Sequence, residues 1–295
     1  MTQFADNGKT VGNLGGAPSV FHSASYSRNL PAFDVNYRLR TRWSVYGQYA
    51  SGNAIPPSSV FDVKNANVTV LPKPTTAKTF QGGTVLKLER MTLNADVYHT
   101  RFQNAYSASP DPSTPTATQY TASGNSVSKG FETEANVNVA GGLNLYVNTT
   151  VGKAIFVTDG LPNKGLWVAN TPSNTEAVGF TYKWRSFDVG FFHKRVGPMW
   201  NDNTAVNGST LNQVIPISPF NVTNLYFNFT LRHTEKFDQT RFRLTVNNLF
   251  DHHDITSLTQ VAKGPLYVPG PGDTLGLLPG RSFTLTITFG YAQKK

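Results

Sequence analysis

The sequence predicts an all-β protein, an antiparallel up-and-down transmembrane β-barrel, and three observations carry that expectation. Alternation is the first: in Gly280 to Tyr291, Phe283, Leu285, Ile287, Phe289 and Tyr291 share one strand face, while Ser282, Thr284, Thr286, Thr288 and Gly290 share the other. Recurrence is the second: tight turns fall near residues 41, 90, 141, 185 and 236, spaced 49, 51, 44 and 51 apart, with a long polar loop between each pair. Third, no apolar run approaches the ~18 residues that a membrane-spanning helix needs. Strands are then the only route across a bilayer.

A tilted strand of ~9–11 residues spans a membrane, and a charge on its lipid face costs about 2–4 kcal/mol at the midplane. The apolar face of the terminal stretch carries no charge. Short turns at one rim and long loops at the other are the connection rhythm of an outer-membrane barrel, whereas Greek-key sandwiches mix connection lengths and propellers use four strands per repeat.

Residues 1–31 are rich in Gly, Ser and Asn, with only Val20 to Tyr26 hinting at a strand, and they stay unassigned. The barrel segment is placed at 32–291, followed by a tail at 292–295. Phe33, Val35, Tyr37 and Leu39 alternate with Asp34, Asn36 and Arg38, and the pattern resumes at Trp43, Val45 and Tyr49 after a tight turn. A long connection covers Gly52 to Thr76. The second unit runs Ala77 to Glu89 and Met91 to Asn104, with a polar loop expected over Ala105 to Gln119. In the third, Phe131, Thr133, Ala135, Val137 and Val139 oppose Glu132, Glu134, Asn136 and Asn138, then turn at Ala140-Gly141-Gly142 into Leu143, Leu145, Val147 and Val151.

After a loop over 157–174, Val178, Phe180, Tyr182 and Trp184 lead through Arg185-Ser186 to Phe187, Val189 and Phe191. Another loop covers 197–219. Leu225, Phe227, Phe229 and Leu231 then precede a turn near Glu235 to Asp238, and Phe242, Leu244 and Val246 follow. The longest loop spans Leu249 to Pro279. These units make eleven strands, or twelve with the segment near Val20.

Composition narrows the function classes. Charged residues are 15% and aromatics 12%, and Phe (20) and Tyr (12) far outnumber Met (3), a balance that favours strands. The chain has no cysteine, which removes disulfides, thiolate metal sites and Cys nucleophiles together. A net charge of +9 invites a nucleic-acid reading, yet Lys and Arg are scattered without a run of five, and even Arg38, Arg40 and Arg42 read as a solvated strand end. No nucleic-acid partner is expected. Met1 to Thr10 carries neither the basic nor the apolar region of a secretory signal, as expected of a trimmed chain or the tail of a longer one.

Candidate chemistry is sparse. Glu132 and Glu134 form the kind of carboxylate pair that glycoside hydrolysis uses, but Asn136 and Asn138 continue the same stripe, which reads as a lumen wall. His252 and His253 between Asp251 and Asp254 have metal-binding chemistry, yet in a long polar loop they read as a solvated cluster. Trp167, Trp200, Asp202 and Asn203 combine aromatic faces with polar groups in long loops, as ligand binding at an exterior mouth requires; belt or loop packing is the plainer role. Trp43, Tyr49, Tyr182 and Trp184 fit an aromatic girdle at the strand ends. No catalytic residue, metal site or cofactor is assigned, and no enzyme is expected.

The segments Lys73-Pro74-Thr75-Thr76-Ala77-Lys78-Thr79-Phe80-Gln81-Gly82-Gly83, Leu93 to Tyr98, Gly130 to Ala135, Asn247-Asn248-Leu249-Phe250-Asp251 and Pro279-Gly280-Arg281-Ser282-Phe283 resemble, in this order, the barrel of a TonB-dependent receptor. The resemblance covers Pro72 to Tyr291. It implies a barrel of about 22 strands in the bacterial outer membrane, plugged by an N-terminal domain, of which this chain would supply the C-terminal portion. It further implies uptake of a siderophore, cobalamin or glycan, with outer-membrane lipid and the barrel-assembly machinery as partners. The TonB complex would be reached only through a plug that this chain does not carry. Ala292 to Lys295 also extends past Tyr291, where family members usually stop on the aromatic residue.

Two alternatives stay open on the sequence. One is a self-contained smaller barrel, a passive pore or structural surface protein, which pairing of the Val20 segment with the terminal strand would support. The other is a soluble all-β binding domain.

Overall fold

The computed structural model describes residues 26–56, 73–111, 114–201, 203–206, 210–213, 215–232, 237–259 and 270–290. Four hairpins come first: β1 (Ala32–Arg40) with β2 (Trp43–Ala54), β3 (Thr75–Lys87) with β4 (Met91–Asp111), β5 (Thr114–Ala140) with β6 (Leu143–Phe156), and β7 (Asn174–Trp184) with β8 (Phe187–Val196). Four short strands follow, β9 (Met199–Trp200), β10 (Asn203–Val206), β11 (Thr210–Gln213) and β12 (Pro216–Ile217). Next come β13 (Phe220–Thr230), β14 (Arg241–Asn247), the short β15 (Ile255–Thr259) and β16 (Thr274–Leu277), and finally β17 (Ser282–Thr288).

Eleven of these form one antiparallel sheet in chain order, β1 through β8, then β13, β14 and β17. That is the expected wall. Pairing runs up and down without a crossover, so each strand lies beside its sequence neighbours and the short strands sit outside the wall as excursions.

Register shows why the alternation was so clean. Met91, Val137, Leu145, Phe180, Phe191, Leu225, Val246 and Phe283 are successive cross-strand partners, one apolar row over eight strands. The opposite face carries rows such as Tyr46, Gly83, Asp96, Glu132, Thr150 and Thr175. Because the side-chain period is two, a slip of one residue would send every apolar group to the polar face. Packed rings reinforce the apolar face, with Phe180 and Phe191 stacked at 5.7 Å, Phe187 and Phe229 at 5.1 Å, and Tyr49 and Phe80 at 4.8 Å between centroids.

On the polar face side chains bond across strands. Tyr46 donates to Asp96 at 3.0 Å and Gln81 donates to the other carboxylate oxygen at 2.9 Å. Asn136 and Tyr146 both donate to Glu134, which places the Glu132 and Glu134 pair within a continuous polar wall. Tyr226 and Asn228 do the same for Asp188. Where an aromatic ring leans over a neighbouring strand, that strand carries glycine: a Cβ on Gly190 would lie 2.2 Å from the Tyr226 ring.

Tight turns link the hairpins at residues 41–42, 89–90, 141–142 and 185–186, as the spacing predicts. Gly141 and Gly142 have φ of 59° and 91°, the left-handed pair that a two-residue hairpin turn requires. Arg185 takes φ 52° without being glycine, and its guanidinium lies 4.9 Å from the centre of the Trp184 ring. The fifth turn lies at 237–239, just past residues that are not described.

Three loops differ from expectation. The loop expected over Ala105 to Gln119 is largely strand: β4 runs to Asp111, β5 starts at Thr114, and the ladder shifts register between Phe102 and Tyr106. The Ser- and Thr-rich sequence of these arms carries no sustained apolar alternation, so the pattern of residue types did not announce the ladder. The loop over 197–219 is a two-part hairpin, β9 with β12 and β10 with β11, and 249–279 holds the β15–β16 hairpin. The candidate strand from Val20, Tyr291 and the tail 292–295 fall outside the described residues, except that Tyr26 is described and lies before β1.

Placing the apolar face in lipid has a direct consequence. Leu244→Arg should destabilise the bilayer-folded protein by about 2–4 kcal/mol, whereas Thr245→Arg, on the polar face, should cost less than about 1 kcal/mol. Urea unfolding in lipid vesicles measures both, and equal losses would contradict the assignment of faces.

Candidate functional site at the long-loop rim

Apolar burial in this molecule is concentrated at one end. Among the described residues the buried apolar side chains are Ala154, Phe156, Ile215, Ile217, Val246 and Leu258, and all but Val246 lie at the upper end of β6 or in the rim excursions. A wall one residue thick has no interior, so among the described residues a small core forms where loops pack on one another.

Asn201 holds that core together. It sits between β9 and β10 with 7% of its surface exposed, and its amide spans the backbone of Leu258 in β15. Its Oδ1 accepts from the Leu258 N–H at 2.7 Å while its Nδ2 donates to the Leu258 carbonyl. Its own N–H donates to Ile215 at 2.9 Å, closing the hairpin. Leaving such groups unpaired costs about 1–3 kcal/mol each, so this residue fastens one excursion to the next.

Beside the clasp lies an open cleft of about 610 Å³, lined by Ile215, Ile217, Ile255, Leu258 and Leu275, with His253 and Asp254 at its edge. Apolar walls with few polar groups suit a small-molecule ligand.

A second clasp joins this rim to the terminal strand. Asn248 (φ 50°) donates from its amide to the His252 and Pro279 carbonyls, both at 2.8 Å, and accepts from the His252 N–H at 3.0 Å. Asp251 (φ 58°) accepts from the Arg281 N–H at 2.7 Å. The Asn247-Asn248-Leu249-Phe250-Asp251 and Pro279-Gly280-Arg281-Ser282-Phe283 segments are thus two halves of one hydrogen-bonded device. The Asp251 carboxyl is held below the usual carboxylate range, chiefly by the Arg281 N–H, against some desolvation, with the charges of His253 and Arg281 assisting.

Of the expected site residues, Trp167 and Trp200 are not among those that line the cleft. Trp167 bridges to Ile155 and donates its indole N–H to the Thr171 carbonyl at 2.7 Å. Trp200 pairs with Pro216 in the rim hairpin, and its carbonyl accepts from Asn170 at 2.7 Å, so the two tryptophan loops are tied through backbone. Asn203 begins β10, while Asp202 and the Asn203 side chain lie outside the described residues. His253 lies 3.8 Å from Asp251, and among the described residues no three His, Asp or Glu side chains gather as metal ligands. Phe283, Leu285, Ile287 and Phe289 are exposed on the terminal strand, beside the Val246, Leu244 and Phe242 row.

Sequence reading passed over Asn201, Ile215, Ile217 and Leu258. The Ile215-Pro216-Ile217-Ser218-Pro219 run was the available signal, since apolar residues in a rim loop need something to bury against.

An up-and-down wall with a lipid-compatible face, a polar face and folded excursions on one rim is the architecture of a transmembrane β-barrel wall. The family model for the TonB dependent receptor-like β-barrel matches residues 1–249, and the chain belongs to that family. Among solved structures, the ferric yersiniabactin uptake receptor FyuA of Yersinia pestis is similar with a TM-score of 0.66 and 19% identity, over 92% of this chain and 39% of its own. The copper transporter OprC gives 0.64 and 16%, over 88% of this chain and 39% of its own. The ferripyoverdine receptor of the Pseudomonas aeruginosa outer membrane gives 0.59 and 16%, over 92% and 33%. The chain thus spans under two-fifths of the length of these three receptors and transporters. Comparison with curated proteins gives no match.

The Asp251 clasp is pH-dependent with a definite sign. A carboxyl whose folded value is depressed contributes above its unfolded value and loses that contribution as pH falls through the folded one, so the clasp should hold at neutral pH and weaken below about pH 4. Amide exchange at Arg281, compared between wild type and Asp251→Asn, reads this directly. Protection that differs between the two proteins at neutral pH and converges in acid is expected; identical protection throughout would remove the clasp.

Proposed function

We propose that this chain is the C-terminal barrel portion, residues 32–291, of a TonB-dependent receptor in the bacterial outer membrane that takes up a ligand too large or scarce for porins. The observation that carries the reading is the joining of a polar inner wall to rim excursions locked over an apolar cleft, a surface able to present a ligand to a lumen. Siderophore complexes, cobalamin and glycans all fit this class of site. That two of the three comparison structures are named for ferric-siderophore uptake or recognition supports a metal chelate first.

In this reading Ile255 and Leu275, the exposed apolar residues of the cleft, contact the apolar part of the ligand, and Trp200, Asp202 and Asn203 meet its polar or planar part. Trp167, whose indole N–H is already engaged by Thr171, offers only its ring face. Energy would come from the TonB complex through a plug domain, and the assembly machinery would read Phe283 to Tyr291. A self-contained passive barrel is less well supported: among the described residues β1 pairs with β2 alone and β17 with β14 alone. Two open edges in lipid would leave rows of backbone groups unpaired, each costing several kcal/mol.

Uptake of radiolabelled ferric siderophores, cobalamin and glycans tests the proposal in the source bacterium. Deleting the gene should abolish uptake of one chelate, and Leu275→Arg, at an exposed position of the cleft, should weaken binding of that chelate at least about tenfold with the receptor present at normal abundance. Unchanged uptake of every chelate, cobalamin and glycan tried would overturn it.

A further inference from the structure

The apolar face is not uniform. Gly47 and Gly82 are direct cross-strand partners on it, so two adjacent positions carry no side chain between the flanking rings of Phe33, Tyr49 and Phe80. Phe33, Val35, Tyr49, Phe80 and Val97 flank the gap and make it an apolar trough across β1 to β4. Nothing lies within 4 Å of a Cβ built on Gly47, and the nearest neighbour of one on Gly82 is the Tyr46 carbonyl at 3.8 Å. The space is open to the lipid side.

Toward the long-loop rim the trough runs into a groove lined by Lys78, His99 and Arg101, with Tyr49 and Phe80 shared by both. Lys78 and Arg101 are direct cross-strand partners, and Lys129 lies opposite both His99 and Lys153. Like charges directly opposite one another destabilise a sheet, so this arrangement calls for an anion. None is supplied from within: among the described residues the ion pairs are Lys164–Asp159, Arg195–Glu176 and His253–Asp251. Arg195, on the same face of the wall, is neutralised by Glu176 at 3.6 Å, while the cluster on β3 to β6 is not.

From this juxtaposition we infer that the outer face of β1 to β6 is a docking site for one phosphorylated lipid. An acyl chain fills the trough over Gly47 and Gly82, and the phosphate is held by Lys78 and Arg101 with Lys129 and Lys153 beside them. Arg presents a fork that matches phosphate oxygens, and Lys adds a point charge. A free phosphate would leave the trough empty, and a neutral lipid would leave the cations unpaired; only an anionic headgroup on a chain answers both. The inference rests on the membrane orientation proposed above and is independent of what the receptor imports.

Native mass spectrometry of the detergent-purified full chain, delipidated and then titrated with phosphatidic acid, tests it once heat-modifiable gel mobility shows each variant folded. One phosphatidic acid per chain is expected, bound at least about tenfold more tightly than phosphatidylcholine of the same chain length. Lys78→Gln with Arg101→Gln should lower that affinity about tenfold through the headgroup, and Gly47→Leu should lower it through the chain. Arg195→Gln should leave it unchanged. Equal binding of phosphatidylcholine, undiminished binding by both the double variant and Gly47→Leu, or full displacement by millimolar inorganic phosphate would each overturn the site. A variant that loses lipid but keeps ligand uptake separates this inference from the transport proposal.

Discussion

Everything in this chain follows from the requirement that a backbone inside lipid pair all its polar groups. Water is absent there, so an unmade N–H or carbonyl bond costs several kcal/mol, and a strand survives only between two partners. The sheet meets that demand over β2 to β14 by chain-order pairing, which short turns on one side and excursions on the other make possible. Alternation is the second half of the same constraint, because a strand paired on both edges has only its two faces left for solvent, one lipid and one aqueous.

At the rim the constraint relaxes and different physics takes over. Beyond the apolar band the chain can leave the ladder, and it does so between β8 and β13 and again between β14 and β17. Those excursions carry their own hydrogen bonds and a small apolar core of Ile215, Ile217 and Leu258. Side-chain amides do the joining: Asn201 reaches across 57 residues to the Leu258 backbone, and Asn248 fixes the point where the chain departs from β14 and returns to β17. A rim built from such clasps can hold a defined surface on loops, which is what recognition at a barrel mouth requires.

The wall was legible in the sequence because lipid imposes a pattern on every second residue. Phe283, Leu285 and Ile287 could be assigned to one face without knowing their neighbours, and the turns near 41, 90, 141 and 185 stand where that pattern reverses. The arms of β4 and β5 beyond Phe102 were not legible, since their Ser- and Thr-rich sequence has no apolar alternation to display. Asn201 was invisible for another reason: a side chain that bonds a distant backbone leaves no local signature. The Asn248 and Asp251 segment could be matched as a motif, but its meaning, a clasp on Pro279 and Arg281, needed both ends in place. Trp167 and Trp200 could be placed in long loops, as ligand contacts or as belt and loop packing, but the backbone bonds that tie those loops together leave no mark on composition.

The central claim is that these strands cross lipid with one face to the hydrocarbon and one to water. Because the chain has no cysteine, single cysteines can carry spin labels without background, and β6 (Leu143–Phe156) is the strand to scan. In reconstituted bilayers, labels at 145, 147 and 151 should be relaxed by oxygen dissolved in lipid, and those at 144, 146 and 148 by a water-soluble nickel chelate, with lipid access ending near Lys153. Nickel access at every position, or no alternation at all, would contradict a transmembrane wall and leave a water-soluble β-sheet in its place.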